Sequence, residues 1–399
     1  MFETDTVAPA EEIQRRLSNL QSQLRKNDID AAIVQQRADL YYFSGTIQDA
    51  NLYVPVEGRP LLMVHRILAR AEAESPIASI LPLASPRKIP AILQEEGLPA
   101  PRSLGMELDV LPVNLWKIYR NLFAATRILD ISSTIRMLRA VKSDYELELI
   151  RTAAGFSDRV AARVPEWLRE GISELELAGK VEAEARRLGH QGVVRMRKWG
   201  SEMFYGHLMA GPSGAVPSFL SSPTGGTGAS PAVAQGPGFR PVGRGEPLLV
   251  DYVFAHRGYY SDHARIYSIG ELPKDLQVAH GVMLKLQAEI KSWARPGVRS
   301  GEIYDRALNY AREAGYGDYF MGHGPERIRF VGHGVGLELD EFPFLAAGQQ
   351  LELTEGMVIA LEPKLVIPGK GVVGVENTHV VTPKGLDQLG EYPDEITVV

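Results

Sequence analysis

At 399 residues the chain is too long for one ordinary core and points to two domains. Its 45% hydrophobic and 23% charged content is ordinary for a globular protein, and a formal charge of −6 gives no reason to expect nucleic acid or an anionic membrane as partner. The absence of cysteine excludes disulfides, thiolate zinc sites and a cysteine nucleophile. The start MFETDTVAPAEEIQRRL is acidic and polar, unlike a signal peptide, and no stretch is apolar enough for a membrane helix. A cytoplasmic protein is expected.

Residues 11–26 have helical spacing, with Ile13, Leu17, Leu20 and Leu24 on one face. Short apolar runs follow, AAIV (31–34), LYYF (40–43), PLLMV (60–64), ILPLA (80–84) and LGMEL (104–108), with helix-like stretches at 66–74, 87–96 and 111–124. Strands alternating with helices predict an α/β domain that ends near RILDIS (127–132). We place it at 1–135 and a second domain at 136–399. Helices are expected after Ser143, where Glu146 completes a capping box, and over 173–189. Residues 211–246 are rich in Gly, Pro and Ser and read as a long functional loop. From 247 on, strands are interrupted by helices at 273–293 and 299–315.

PLLVDYVFAHRGYYSDHARIYSIG (247–270) reads as a β-hairpin. A turn centred between His256 and Arg257 sets Asp251 opposite Asp262. Two carboxylates facing each other in apolar strands are destabilising unless a cation compensates them. MVIALEPKLVIPGKGVVGVENTHVVT (357–382) repeats the pattern: a turn centred on Gly369 sets Glu362 opposite Glu376. His333 lies in RFVGHGVGLELDEFP (329–343) between Gly332 and Gly334, which permit close backbone approach. Four carboxylates and one imidazole balance two divalent ions and suit Mn, Co or Zn, with Fe possible.

The order Asp, Asp, His, Glu, Glu in VDYVFAHRGYYSDHAR, GHGVGLELDEFP, LEPK and GVENTHVV resembles the superfamily of Xaa-Pro peptidases, methionine aminopeptidases and creatinases. The resemblance covers about 142–399 for the catalytic domain, and 11–132 looks like the N-terminal domain of the proline-specific and creatinase branches. It implies a pita-bread fold, an α+β domain with a curved antiparallel sheet flanked by helices. It implies two metal ions: Asp262 and Glu376 would bridge both, Asp251 would hold one, and His333 with Glu362 the other. Glu362 would also move the proton of a metal-bridging water, and the protein would be a homodimer.

The chain departs from the proline-specific pattern at several positions. Asp340 and Ser218 stand where those peptidases carry histidines, and Lys364 stands where Gly usually follows Glu-Pro. His207, His323 and Asp340 are the candidates for replacing the lost acid–base groups. Arg195, Arg197 and Lys198 read as a solvated basic strand edge, although they could meet a substrate carboxylate. Three functions follow: hydrolysis of short Xaa-Pro peptides, hydrolysis or lysis of a small non-peptide molecule such as an amide, and binding without catalysis.

Overall fold

The computed structural model describes residues 7–399. The chain divides into two compact units, Met1–Arg139 and Ala140–Val399. Among the described residues no helix is long and apolar enough to cross a membrane.

In the first unit, α1 (Ala10–Lys26) buries Ile13, Leu17, Leu20 and Leu24, the face that the spacing predicts. The strands are β1 (Ala31–Val34), β2 (Ala50–Pro55), β3 (Leu61–Val64), β4 (Ser79–Pro82), β5 (Ser103–Met106) and β6 (Arg127–Asp130). They form one mixed sheet in the order β4-β3-β2-β1-β5-β6. Helices α2 (Arg37–Ser44), α3 (Leu68–Glu74), α4 (Ile89–Glu95), α5 (Val113–Leu122) and α6 (Ser132–Ala140) intervene or follow. One expectation is corrected here. LYYF (40–43) is helical, inside α2, because Gln36 accepts a bond from Asp39 N at its start and Gly45, at φ 78°, ends it in the left-handed region. The strand at Ala50–Pro55 is absent from the sequence reading.

In the second unit, α7 (Asp144–Ala161) begins with the predicted capping box, with Ser143 accepting from Glu146 N and Glu146 accepting from Ser143 N. After α8 (Val164–Trp167) comes α9 (Glu174–Arg187), capped by Ser173. Next are β7 (Gly206–Ala210), β8 (Leu248–His256), β9 (Tyr259–Ser268), α10 (Lys274–Trp293) and α11 (Ser300–Glu313). The last part holds β10 (Phe330–Gly334), β11 (Glu341–Ala346), β12 (Val358–Leu361), β13 (Lys364–Ile367), β14 (Gly371–Gly374), β15 (Asn377–Thr382), β16 (Gly385–Gln388) and β17 (Thr397–Val398). One sheet runs β17-β9-β8-β7, a second runs β11-β10-β12-β15-β16, and β13 pairs with β14.

The long segment 211–246 is tied down rather than loose. Glu174 accepts from Ala210 N at 2.8 Å and from Gly238 N at 2.9 Å, and Gly236 N donates to Gly225 O at 2.7 Å. A single buried carboxylate thus ties the start of the segment to Gly238 in its later part, which satisfies backbone donors that would otherwise be buried unpaired.

Candidate metal centre

The two acid-bearing hairpins meet at one bridge. Ala264 N donates to Glu376 O at 3.2 Å, and Glu376 N donates to Ala264 O at 3.3 Å. The register of the β8–β9 hairpin differs from the expected one. Its two-residue turn is Arg257-Gly258, both at positive φ (49° and 90°). Asp251 therefore lies opposite Ala264, and Asp262 lies opposite Val253. The slip is an even number of residues, so both carboxylates keep the same face and become diagonal neighbours. The second hairpin has the predicted register: Leu361 pairs with Asn377 and Lys364 with Gly374, so Glu362 and Glu376 lie opposite each other between the two ladders.

His333 enters on β10, opposite Ala360 of β12. Its flanking glycines are required by close approach. A Cβ on Gly332 would come 2.3 Å from Ala360 O, and one on Gly334 would come 2.2 Å from Phe342 O. His333 Nδ1 lies 3.0 Å from Leu339 O, which leaves Nε2 toward the acids, 3.6 Å from Asp262 and 3.8 Å from Glu362. A backbone carbonyl on the far ring nitrogen is the usual way a metal-binding imidazole is oriented. Asp262, His333 and Glu376 bring one ligand atom each to within 4.8 Å of one another. Thr378, two residues beyond Glu376, holds Asp262 by its backbone: it accepts from Asp262 N at 2.8 Å and donates to Asp262 O at 2.9 Å. Arg265 is buried, pairs with Asp394 at 2.9 Å and also donates to Glu376 O.

Burial, then the neighbouring Asp251 carboxylate, pushes Asp262 up to about 7. Burial and Asp262 likewise push Glu376 well above the ordinary range. Burial pulls His333 down, but Asp340, Glu362 and Asp262 outweigh it and hold it above its usual value. This donor set fits one divalent cation, which would relieve the repulsion that raises both acids.

The Asp251 side of the cluster differs. Lys364 Nζ lies 2.8 Å from Asp251, 2.9 Å from Glu362 and 2.5 Å from Glu376. Burial works against this ammonium, but Asp251, Glu362 and Glu376 together keep its pKa well above that of an ordinary lysine. The ammonium thus fills the space among Asp251, Glu362 and Glu376. The sequence reading misses this role of Lys364.

The acids line a cavity of about 290 Å³ together with Met196, Trp199, His207, Phe219 and Asp340. His207, on β7, pairs directly with Asp251. Its Nδ1 shares a hydrogen bond of 3.1 Å with Thr224 Oγ1, and its Nε2 has no hydrogen-bond partner among the described residues. Burial holds its pKa below the usual value, so it is neutral at pH 7. Asp340 is half-buried, 3.7 Å from His333 Nδ1. Its loop is pinned by Glu341, which accepts from Leu337 N, Glu338 N and Lys142 Nζ. The structure does not bring His323 to this cluster. Its Nε2 bonds Ala215 O at 3.2 Å, and it lines a separate small cavity with Ser218. The expected basic strand edge is also corrected: 193–200 is irregular, and Arg197 is buried, 3.5 Å from Glu338. The Lys198 ammonium is exposed, lines the acid cavity and donates to Ser221 at 2.9 Å.

Residues 148–383 match the model of metallopeptidase family M24, and 16–141 match the Creatinase/Prolidase N-terminal domain. The chain belongs to metallopeptidase family M24. Its second unit has the pita-bread fold, and its first is the accompanying α/β domain. It is 27% identical to the Xaa-Pro dipeptidase of Pyrococcus furiosus over 96% of this chain and 100% of that protein. The Xaa-Pro dipeptidase structure from Bacillus anthracis superposes with a TM-score of 0.82 at 22% identity, covering 97% of this chain and 100% of that one. The prolidase structure from Pyrococcus horikoshii gives 0.78 at 25% identity, over 96% and 99%.

The protonated acids set a pH dependence for metal loading. An incoming ion must displace the proton that Asp262 retains below about pH 7, so affinity should fall about tenfold per pH unit there, and the upward shift of Glu376 acts in the same direction. The metal-free protein itself should lose stability as pH rises from about 4 to about 7, because its folded state then binds more protons than the unfolded chain. Manganese should therefore raise the melting temperature more at about pH 8 than at about pH 5.5. An equal rise at both values would show that these acids are already ionised without metal.

Proposed function

We propose that this chain is a metal-dependent hydrolase of short peptides, acting on Xaa-Pro dipeptides or N-terminal Xaa-Pro bonds. The observation that carries this reading is the convergence of Asp262, His333 and Glu376 in one cavity with His207. The relatives named Xaa-Pro dipeptidase support the substrate class. A mostly oxygen donor set with one nitrogen suits manganese, cobalt or zinc. A cytoplasmic homodimer completes the reading, and light scattering of the purified protein tests the dimer.

A divalent ion on Asp262, His333 and Glu376 would polarise the scissile carbonyl and lower the pKa of a water. The protein's own groups do the rest. Glu362 faces His333 through Oε1 and bonds Lys364 through Oε2, so one oxygen stays placed to take the proton of an attacking water. His207, neutral, can take that proton from Glu362 at Nε2 and pass it on to the leaving amine. Asp340, accepting only, can hold a substrate ammonium but cannot donate to an oxyanion. The exposed aromatic walls Trp199 and Phe219 favour an apolar or ring-bearing residue.

The test is a panel of Xaa-Pro dipeptides and tripeptides with the manganese-loaded protein. Cleavage that depends on the metal ligands supports the proposal, and no cleavage by metal-bearing protein sinks it. The replacement of two family histidines by Ser218 and Asp340, with Lys364 in the acid cluster, favours a second reading, a small non-peptide amide. Including such amides in the panel separates the two.

His207→Ala should lower kcat about 100- to 10,000-fold with little change in KM or metal content. Full activity in this variant would remove His207 from the chemistry.

A further inference from the structure

The Lys364 ammonium is built into its place. Lys364 opens β13 and pairs with Gly374, which has φ 148°. A Cβ on Gly374 would come 3.1 Å from Lys364 Cγ and closer still to the backbone of residues 363 and 364, so the missing side chain clears the path of the lysine stem. Lys364 is 1% exposed. An ammonium has three N–H donors. Asp251, Glu362 and Glu376 supply three carboxylate acceptors at 2.5–2.9 Å, so every donor is used.

Those acceptors enclose the space that a cation shared by Asp251 and Glu376 would need. A divalent ion binds carboxylate oxygen at about 2.0–2.2 Å, and it cannot share that space with Nζ. Net charge is neutral between the two counts: with Asp251, Asp262, Glu362 and Glu376 ionised and Lys364 charged, one divalent ion leaves −1 and two leave +1. The exclusion is steric, because Nζ already fills the space among Asp251, Glu362 and Glu376.

We propose that Lys364 is a fixed cation in place of a second metal ion, so that the centre holds one divalent ion, on Asp262, His333 and Glu376 with Glu362 beside it. This rests on the metal reading given above. It makes the lysine a positioning residue: it holds the Glu362 carboxylate in place and supplies the charge that keeps Asp251 and Glu376 together, with no donor left for substrate.

The test counts ions without relying on turnover. Wild-type protein and Lys364→Gly are loaded with excess manganese, freed of unbound metal and measured by elemental analysis. Electron paramagnetic resonance then distinguishes isolated Mn(II) from a coupled pair. The proposal expects one ion per chain and an isolated-ion spectrum in the wild type, and two ions with a coupled spectrum in Lys364→Gly. Two ions in the wild type overturn it while leaving the metal-hydrolase reading intact. One ion in both proteins also overturns it, because Lys364 would not be what excludes the second. No ion in the wild type overturns both readings. Should Lys364→Gly fail to fold, Lys364→Ala serves in its place, and the wild-type count and spectrum decide by themselves.

Discussion

Glu376→Gln should remove stoichiometric metal and lower hydrolysis by about a thousandfold or more. Glu376 is where the two hairpins join, through its backbone bridge to Ala264, and its carboxylate faces Asp262 and His333 while accepting from Lys364. The amide keeps the shape and the backbone bridge, but it loses the negative charge and turns a donor toward one of two cations. A bound ion contributes several kcal/mol of transition-state stabilisation. At about 1.4 kcal/mol per decade, its loss costs on the order of three decades in rate. Elemental analysis of the loaded variant, beside its thermal melt, separates this from unfolding. A folded variant that retains one ion per chain would show that Glu376 is not a ligand.

How far the sequence reveals this centre depends on which geometric rule is being used. Strand alternation has period two, so it places Asp251 with Asp262 and Glu362 with Glu376 on common faces, and a register slip by an even number of residues does not disturb that. The turn itself is less legible. Arg257-Gly258 wins over His256-Arg257 because glycine takes its positive φ at no steric cost, and the second hairpin is read correctly because Gly369 marks its turn directly. LYYF shows the converse failure. Four apolar residues fit a strand as well as a buried helix, and only the flanking Gln36 and Gly45 decide for helix. The strand Ala50–Pro55 has no periodic signal because both of its faces are buried. His207 is recognisable as a candidate, but only the β7–β8 register puts it beside Asp251.

Lys364 was within reach of the same alternation rule. It lies two residues beyond Glu362 and so shares its face, opposite a glycine that leaves room for its stem. What the pattern does not supply is the direction of a four-carbon side chain. That is set by where three carboxylates from β8, the β12–β13 junction and the β14–β15 junction converge, and this is a property of the tertiary fold.

Lys364→Met should destabilise the metal-free protein by about 3–5 kcal/mol at about pH 8. Methionine is close in length to the lysine stem and keeps the packing, but it leaves Asp251, Glu362 and Glu376 facing one another with no cation among them. Removing one partner of a buried ionic cluster is more costly than never having had the cluster, because the remaining charges stay buried. On the usual scaling the melting temperature should fall on the order of 10 °C. The sign of the pH dependence is fixed by the groups that remain. The Lys364 pKa is raised, so in the wild type its contribution is intact throughout the neutral range and is lost only on strong alkalinisation. In the variant the penalty exists only while the carboxylates are ionised. It should therefore shrink as pH falls through about 7, where Asp262 takes its proton, and the upward shift of Glu376 acts in the same direction. Manganese should restore much of the lost stability at about pH 8, since the vacated space accepts an ion. A variant as stable as the wild type at both pH values would mean that the ammonium does not hold these carboxylates together, and the fixed-cation account would lose its energetic basis.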